Sequence, residues 1–379
     1  MALLSLLLLT ATLPACQPPE DTNLSFTNEV KPVQPQPAIN LESPVEPTED
    51  SKRVLLVINA ASGPSAEIGA YYRAKRQIPK ENVVIINVST TENINETEFN
   101  TGIKAPVQAA IKASKNPIDF IVLTDGTPIR LNDNNGYSVD GYLATMNVSL
   151  TPIPELKSQG FICPPNPYYG STERFSSNKY KIYLVTRLIG YTTEDAKKLV
   201  DNSLAAKPAT GPFLLDKAGN RKDGGYGQLQ SLMDRSADSL QKRGFNAILD
   251  KTDEFQEPKE PLMGYVNWGS NDGAFSNERY KNVKFLPGAI CETFVSTSAR
   301  TFKPTEGGQS LIADLIKSGV TGVKGYVSEP YTFALAQPHI LFDRYTQGFN
   351  LAESFYASSQ VIRWKDLVVG DPLCNPYQK

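Results

Sequence analysis

The sequence is short of the residues that most catalytic motifs need. A single histidine, His339, serves 379 residues. Zincin and other multi-histidine metal sites are thereby excluded, because they set two or more imidazoles around the ion. A Ser-His-Asp or Cys-His site would have to draw its imidazole from His339. There is no Walker-type loop, no CxxC pair, no G-x-G-x-x-G behind a strand and no G-x-S-x-G. Nothing in the pattern asks for a cofactor or a metal. An excess of one charge is also missing: 38 Lys+Arg stand against 40 Asp+Glu, a formal net charge of −2. A nucleic-acid protein would show a basic excess or stripe, so no nucleic-acid partner is expected. The hydrophobic share of 40% is that of a globular protein and too high for wholesale disorder.

The amino terminus reads as an address. Ala2 to Leu13 form an apolar run shorter than the roughly 20 residues that span a bilayer. It suits the h-region of a secretory signal. The Leu13-Pro-Ala-Cys16 stretch that follows resembles a bacterial lipoprotein signal. That resemblance implies lipidation of Cys16, export, and a membrane partner in the cell envelope; a plain secretory signal would release the chain instead. Residues 17–51 hold seven prolines, seven acids, one Lys and one aromatic, Phe26. Such a segment buries too little apolar surface to offset its ordering entropy and reads as a disordered, semi-extended tether. The expected organisation is a signal over 1–16, a tether over 17–51, and two α/β halves over 52–208 and 209–379.

The folded part alternates strand and helix patterns. The runs at 53–59, 82–88 and 118–124 are apolar without alternation, the mark of strands buried on both faces. Ser62-Gly-Pro64 opens one helix between them, and a helical spacing over 98–114 supplies another. The β-α-β-α-β order predicts a parallel sheet with right-handed crossovers. Residues 127–179 read mostly as loop, the kind of stretch that carries function or covers a site. A fourth strand is expected at 181–186, then a helix opened by the capping-box-like Thr192-Thr-Glu-Asp195. The second half continues the alternation, with strands at 211–216, 245–249, 262–267, 289–295 and 320–327, a long helix ending near Gly244, and helices near 311–319, 339–347 and 351–359. The expected fold is α/β, with a mainly parallel, doubly wound sheet in two packed halves.

Ligands gather beyond the carboxyl ends of strands in such sheets. The polar residues there are Asp125, the Trp268-Gly-Ser270-Asn-Asp272 turn, Cys291-Glu292, Glu329 and Asp371, with Asp140 reaching over from the long loop. Asp125, Asp272, Glu292 and Glu329 facing one crevice could supply a general acid and base. Asp125-Gly126 and Asp272-Gly273 are equally good turn dipeptides. Trp268 fits either a stacking platform or a core position.

The order of these landmarks resembles the gingipain-type cysteine peptidases of the caspase-related fold. The chain has Leu123-Thr-Asp-Gly126, Asp140-Gly-Tyr142, Leu184-Val-Thr-Arg187 before the Thr192 cap, Tyr265-Val-Asn-Trp-Gly-Ser270, Ala289-Ile-Cys291 and Gly370-Asp-Pro372. It is also similar to an uncharacterised family of secreted bacterial proteins ending in Gly-Asp-Pro-Leu-x-x-Pro. The resemblance implies a caspase/gingipain-like sheet and places a nucleophile at Cys291. It places no histidine, because Trp268 stands where those peptidases carry theirs. An indole donates one N–H and accepts no proton from a thiol. A thiol with an ordinary pKa is mostly protonated at neutral pH.

Three readings follow. The crevice of a pseudoenzyme binds a ligand or protein partner, lined by Asp125, Asp140, Trp268, Ser270 and Glu292. Or Cys291 works as a peptidase or acyl-transfer nucleophile, with Asp272 or Glu329 as base. Or the crevice carboxylates hydrolyse an envelope polymer. Cysteine parity adds one expectation: with Cys16 lipidated, Cys163 and Cys374 are free to bridge and leave Cys291 reduced.

Overall fold

The computed structural model describes Ile39, Leu41, residues 46–132 and residues 136–378. The signal and most of the tether, Cys16 included, lie outside the described residues.

Among the described residues there are twelve strands: β1 Val54–Asn59, β2 Val83–Ile86, β3 Asn93–Ile94, β4 Phe120–Thr124, β5 Arg130–Leu131, β6 Leu184–Leu188, β7 Phe213–Asp216, β8 Ala247–Asp250, β9 Leu262–Asn267, β10 Phe285–Thr293, β11 Gly322–Tyr326 and β12 Asp366–Gly370. Ten of them form one sheet in the order β2-β1-β4-β6-β12-β11-β10-β9-β7-β8, and β3 pairs with β5 apart from it. β1, β2, β4 and β6 pair in parallel. So do β7 to β11. β12 runs antiparallel to β11 and meets β6 at Val369–Arg187. The expected α/β fold with a mainly parallel sheet is the one observed. The sheet runs unbroken across the expected boundary at 208/209, because β12, last in the chain, sits between the two parallel blocks.

The local reasons are those of the sequence. β1, β4 and β9 are buried at every position, as continuous apolar runs require. The helix Gly63–Arg76 starts on Ser62, whose side chain accepts from the Ser65 N–H, with Pro64 in its first turn. The helix Thr193–Leu204 carries a full capping box: the Asp195 N–H donates to Thr192 Oγ1 and the Thr192 N–H to Asp195 Oδ2, both at 3.1 Å. The long loop is less bare than expected, with short helices at Val139–Ala144, Pro154–Lys157 and Ser177–Tyr180.

The Gly370-Asp-Pro372 element locks the end of the chain. Asp371 is fully buried and accepts from Tyr72 Oη at 2.9 Å, Arg76 Nε at 2.6 Å and Ser203 Oγ at 2.7 Å. It ties β12 to the helices at 63–76 and 193–204. The loops after β4 and β11 meet at one edge, where Arg130 donates to the Val327 carbonyl at 2.9 Å and Ser328 to that of Gly136 at 2.7 Å.

Candidate functional site

Register decides what each β10 side chain can do. Cys291 pairs with Tyr265 on β9 and Val323 on β11, while Glu292 pairs with Val266 and Lys324. Neighbouring residues in a strand point to opposite faces, so Cys291 and Glu292 cannot share a crevice.

Cys291 is fully buried and joins the apolar cluster that holds Tyr265, Tyr280 and Val323. Its polar neighbour is Asn267, with Nδ2 3.8 Å from the sulfur. Burial first, and the Glu292 charge second, push the thiol well above its ordinary pKa. That is the reverse of an activated thiolate.

Glu292, on the other face, is also fully buried. It accepts from Tyr326 Oη at 2.5 Å and from the Ala336 N–H at 3.4 Å, while Oε2 has no partner among the described residues. Burial raises its pKa to about 8 against the pull of Lys324. Lys324 is spent on Asp366 at 3.0 Å, the Ser359 hydroxyl and the Ala334 carbonyl.

Trp268 follows β9 and forms part of the wall of a cavity of about 600 Å³. The cavity opens beyond the carboxyl ends of β7, β9, β10 and β11. Arg221, Tyr226, Phe294, Ser296, Glu329 and Tyr331 complete much of its lining. The Trp268 ring packs edge-on against Phe294 at 4.9 Å and Tyr226 at 5.7 Å. The Arg221 guanidinium lies 4.9 Å from the Tyr226 ring centre and 6.0 Å from that of Trp268. The start of the helix Gly224–Lys242 forms another wall, and its N-cap residue Asp223 makes no side-chain cap.

The four carboxylates expected to converge do not. Glu329 alone reaches this cavity, exposed, with Oε1 accepting the Tyr331 N–H at 3.0 Å. Asp125 lines a separate cavity of about 160 Å³ with Glu92 and Lys303, and folds back onto the Gly126 N–H at 2.7 Å. Asp272 is buried in its turn and accepts the Ala274 N–H at 2.8 Å. Burial raises the pKa of Asp125 and Asp272 alike. Asp140 is buried against Arg187 and lies off the crevice. Ser270 clamps its turn by accepting the Ser310 N–H at 2.9 Å. His339 is half-buried on the helix Pro338–Thr346, in the wall of another cavity with Arg235 and Arg344. Its Nδ1 has no partner among the described residues, and burial lowers its pKa to about 4. The expected Cys163–Cys374 bridge is absent: Cys163, Cys291 and Cys374 are all free and buried, with Cys163 and Cys374 in different apolar clusters.

Sequence reasoning missed Arg221, Asp223, Tyr226 and Ser296. Arg221 and Asp223 sit in a polar Lys-Ala-Gly-Asn-Arg-Lys-Asp-Gly stretch that reads as an ordinary loop. The usable signal was its place, directly after β7 and before a long amphipathic helix.

No family model matches the sequence, and no curated protein matches it. Among solved structures, the chain is similar to one described as a protease, at 12% identity over 86% of this chain and 78% of the other, with a TM-score of 0.47. It is similar to the Arg-specific cysteine proteinase gingipain R at 10% identity, covering 88% of this chain and 80% of the other, with a TM-score of 0.46. It is also similar to a complex of the pro- and mature domains of RgpB from Porphyromonas gingivalis, at 10% identity over 85% and 79% of the two chains, with a TM-score of 0.41.

Proposed function

We propose that this chain is an exported binding protein of the cell envelope, held to the membrane through lipidated Cys16, whose crevice at Trp268 takes a small ligand without nucleophilic chemistry. One observation carries the reading. The Cys291 thiol is sealed into the core under one face of the sheet, while Trp268, in the buried wall of the open crevice, cannot act as a base. A peptidase needs nucleophile, base and substrate at one place. Here the candidate nucleophile is buried, and Trp268, which the sequence resemblance sets where a base would stand, is an indole.

The hydrolase reading keeps one supporting observation, which is that two carboxylates, Asp223 and Glu329, line the same crevice. Loss of a hydrolytic activity in both Asp223→Asn and Glu329→Gln, with Cys291→Ala unaffected, would favour it.

The test of the binding reading is a thermal-stabilisation screen of the purified chain against sugars, dipeptides and small carboxylic acids. Stabilisation that survives Cys291→Ala and is lost in Tyr226→Ala and Trp268→Ala is the expected result. A covalent adduct at Cys291 of the native chain, or stabilisation lost in Cys291→Ala alone, would overturn it. Fatty-acid incorporation that disappears in Cys16→Ser tests the anchor.

A further inference from the structure

We infer that the Trp268 crevice recognises a singly charged carboxylate attached to a flat apolar body. The inference rests on the binding reading above and names the ligand that reading leaves open.

Three kinds of donor line or back the wall of this cavity. The Trp268 side chain is 1% exposed, and its Nε1–H has no acceptor among the described residues. A buried N–H without a partner is costly, so such groups are rare unless something else accepts from them. The second donor is the start of the helix Gly224–Lys242. Its 19 residues align their dipoles toward the cavity, and Asp223 leaves the first turn uncapped. The N–H groups of that turn have no carbonyl inside the helix, and together with the dipole they attract an anion. The third is Arg221, whose Nε is fixed on the Asn271 carbonyl at 2.7 Å. That bond holds the guanidinium against Tyr226 and Trp268, and its other nitrogens make no hydrogen bond to the described residues.

The charge of the lining sets the charge of the ligand. Arg221 is opposed by Asp223 and Glu329. One guanidinium and a helix terminus can offset a single negative charge seated directly on them; Asp223 and Glu329 oppose any anion and oppose a doubly charged one more. The walls set the rest. The rings of Tyr226, Trp268, Phe294 and Tyr331 line the cavity and offer π-faces and edges to a planar or apolar group.

The chain has two tryptophans, which makes the test direct. Trp364 donates to the carbonyl of Pro330, a residue of the cavity wall, at 2.9 Å, so its already bonded N–H gives a second resonance for comparison. The indole N–H resonances of the 15N-labelled full chain are assigned with Trp268→Phe and then followed during titration with benzoate, benzamide and phenyl phosphate. Benzoate is expected to move the Trp268 resonance downfield, with Trp364 little changed. Benzamide, its uncharged counterpart, and phenyl phosphate, carrying the second charge, should each bind at least roughly tenfold more weakly, the scale of one charge-assisted hydrogen bond. Arg221→Gln should weaken benzoate by a similar factor.

Benzamide binding as well as benzoate would overturn the charge assignment and leave the crevice reading standing. Phenyl phosphate binding more tightly would replace the carboxylate with a phosphate. A Trp268 resonance that ignores all three probes would overturn the inference, and the crevice reading then stands or falls on the separate screen. A resonance that ignores the probes but moves in Glu292→Gln would give the N–H an internal acceptor, which also overturns the inference.

Discussion

Arg187 and Asp140 form an ion pair closed to solvent, with Nη2 2.6 Å from Oδ1 and Nε 2.7 Å from the same oxygen. The remaining guanidinium donors go to the carbonyls of Thr127 at 2.8 Å and Pro128 at 2.7 Å. One side chain on β6 thus fastens the helix Val139–Ala144 and the turn after β4. Sequence placed Asp140 among crevice residues; the structure makes it the counter-ion of a buried arginine. Asp140→Asn leaves that arginine without its charge partner. The expected loss is about 3–5 kcal/mol of stability, read by urea denaturation. A loss below about 1 kcal/mol would mean that the carbonyls alone satisfy Arg187.

Glu292 makes stability fall as pH rises. Burial lifts its pKa from 4.5 to about 8 in the folded chain. Between those values the folded state keeps a proton that the unfolded state has released. Stability is therefore lost across that window, by up to about 1.4 kcal/mol per pH unit for one group, and levels off above the folded value. Asp216, raised by burial to about 7, adds a slope of the same sign that ends sooner. Urea midpoints for wild type and Glu292→Gln from pH 5 to 9 check this. The variant should decline less steeply between pH 7 and 8, where Asp216 contributes less than Glu292; equal slopes would show that Glu292 does not hold its proton.

The strands β1, β4 and β9 were legible because a strand covered on both faces is a continuous apolar run. The helix at Thr193 was legible because its cap is written in adjacent residues. The position of β12 was not. Leu367-Val-Val reads as a strand anywhere, and its choice of β6 and β11 as neighbours is a tertiary matter. The candidate site was half legible. Trp268 and Glu329 do line one cavity. The pairing of Cys291 with Glu292 as crevice residues ignored parity, since adjacent residues on β10 face opposite ways. Arg221, in a loop, and Tyr226, in the first turn of a helix, escaped because neither carries a mark in the sequence until the fold brings them beside Trp268.

Cys291 should behave as a core residue. Native iodoacetamide labelling is expected at none of Cys163, Cys291 and Cys374, all buried, with all three labelled in denaturant. Cys291→Ala should cost about 1 kcal/mol, the scale of removing one small buried apolar group, and leave the Trp268 crevice unchanged. Fast native labelling of Cys291 with an apparent pKa below its ordinary value would return the nucleophile reading to first place.

Gly225 sets how closely the helix start approaches the opposite lip of the crevice. A Cβ there would lie 2.5 Å from Thr332 Oγ1 and 3.1 Å from Thr332 Cβ. Both residues line the cavity, so the added methyl must displace the Thr332 side chain or the helix start and change the shape of that lip. Gly225→Ala is then expected to reduce the Trp268 response to benzoate, even though alanine is the better helix former by about 1 kcal/mol. Thr332→Ala removes the nearest atom and should restore much of the response in the double variant. The two changes are in contact, so their effects should couple rather than add, and a double-mutant cycle on benzoate affinity measures it. Simple additivity would mean that the two walls of the crevice move independently, and that their spacing does not govern what binds.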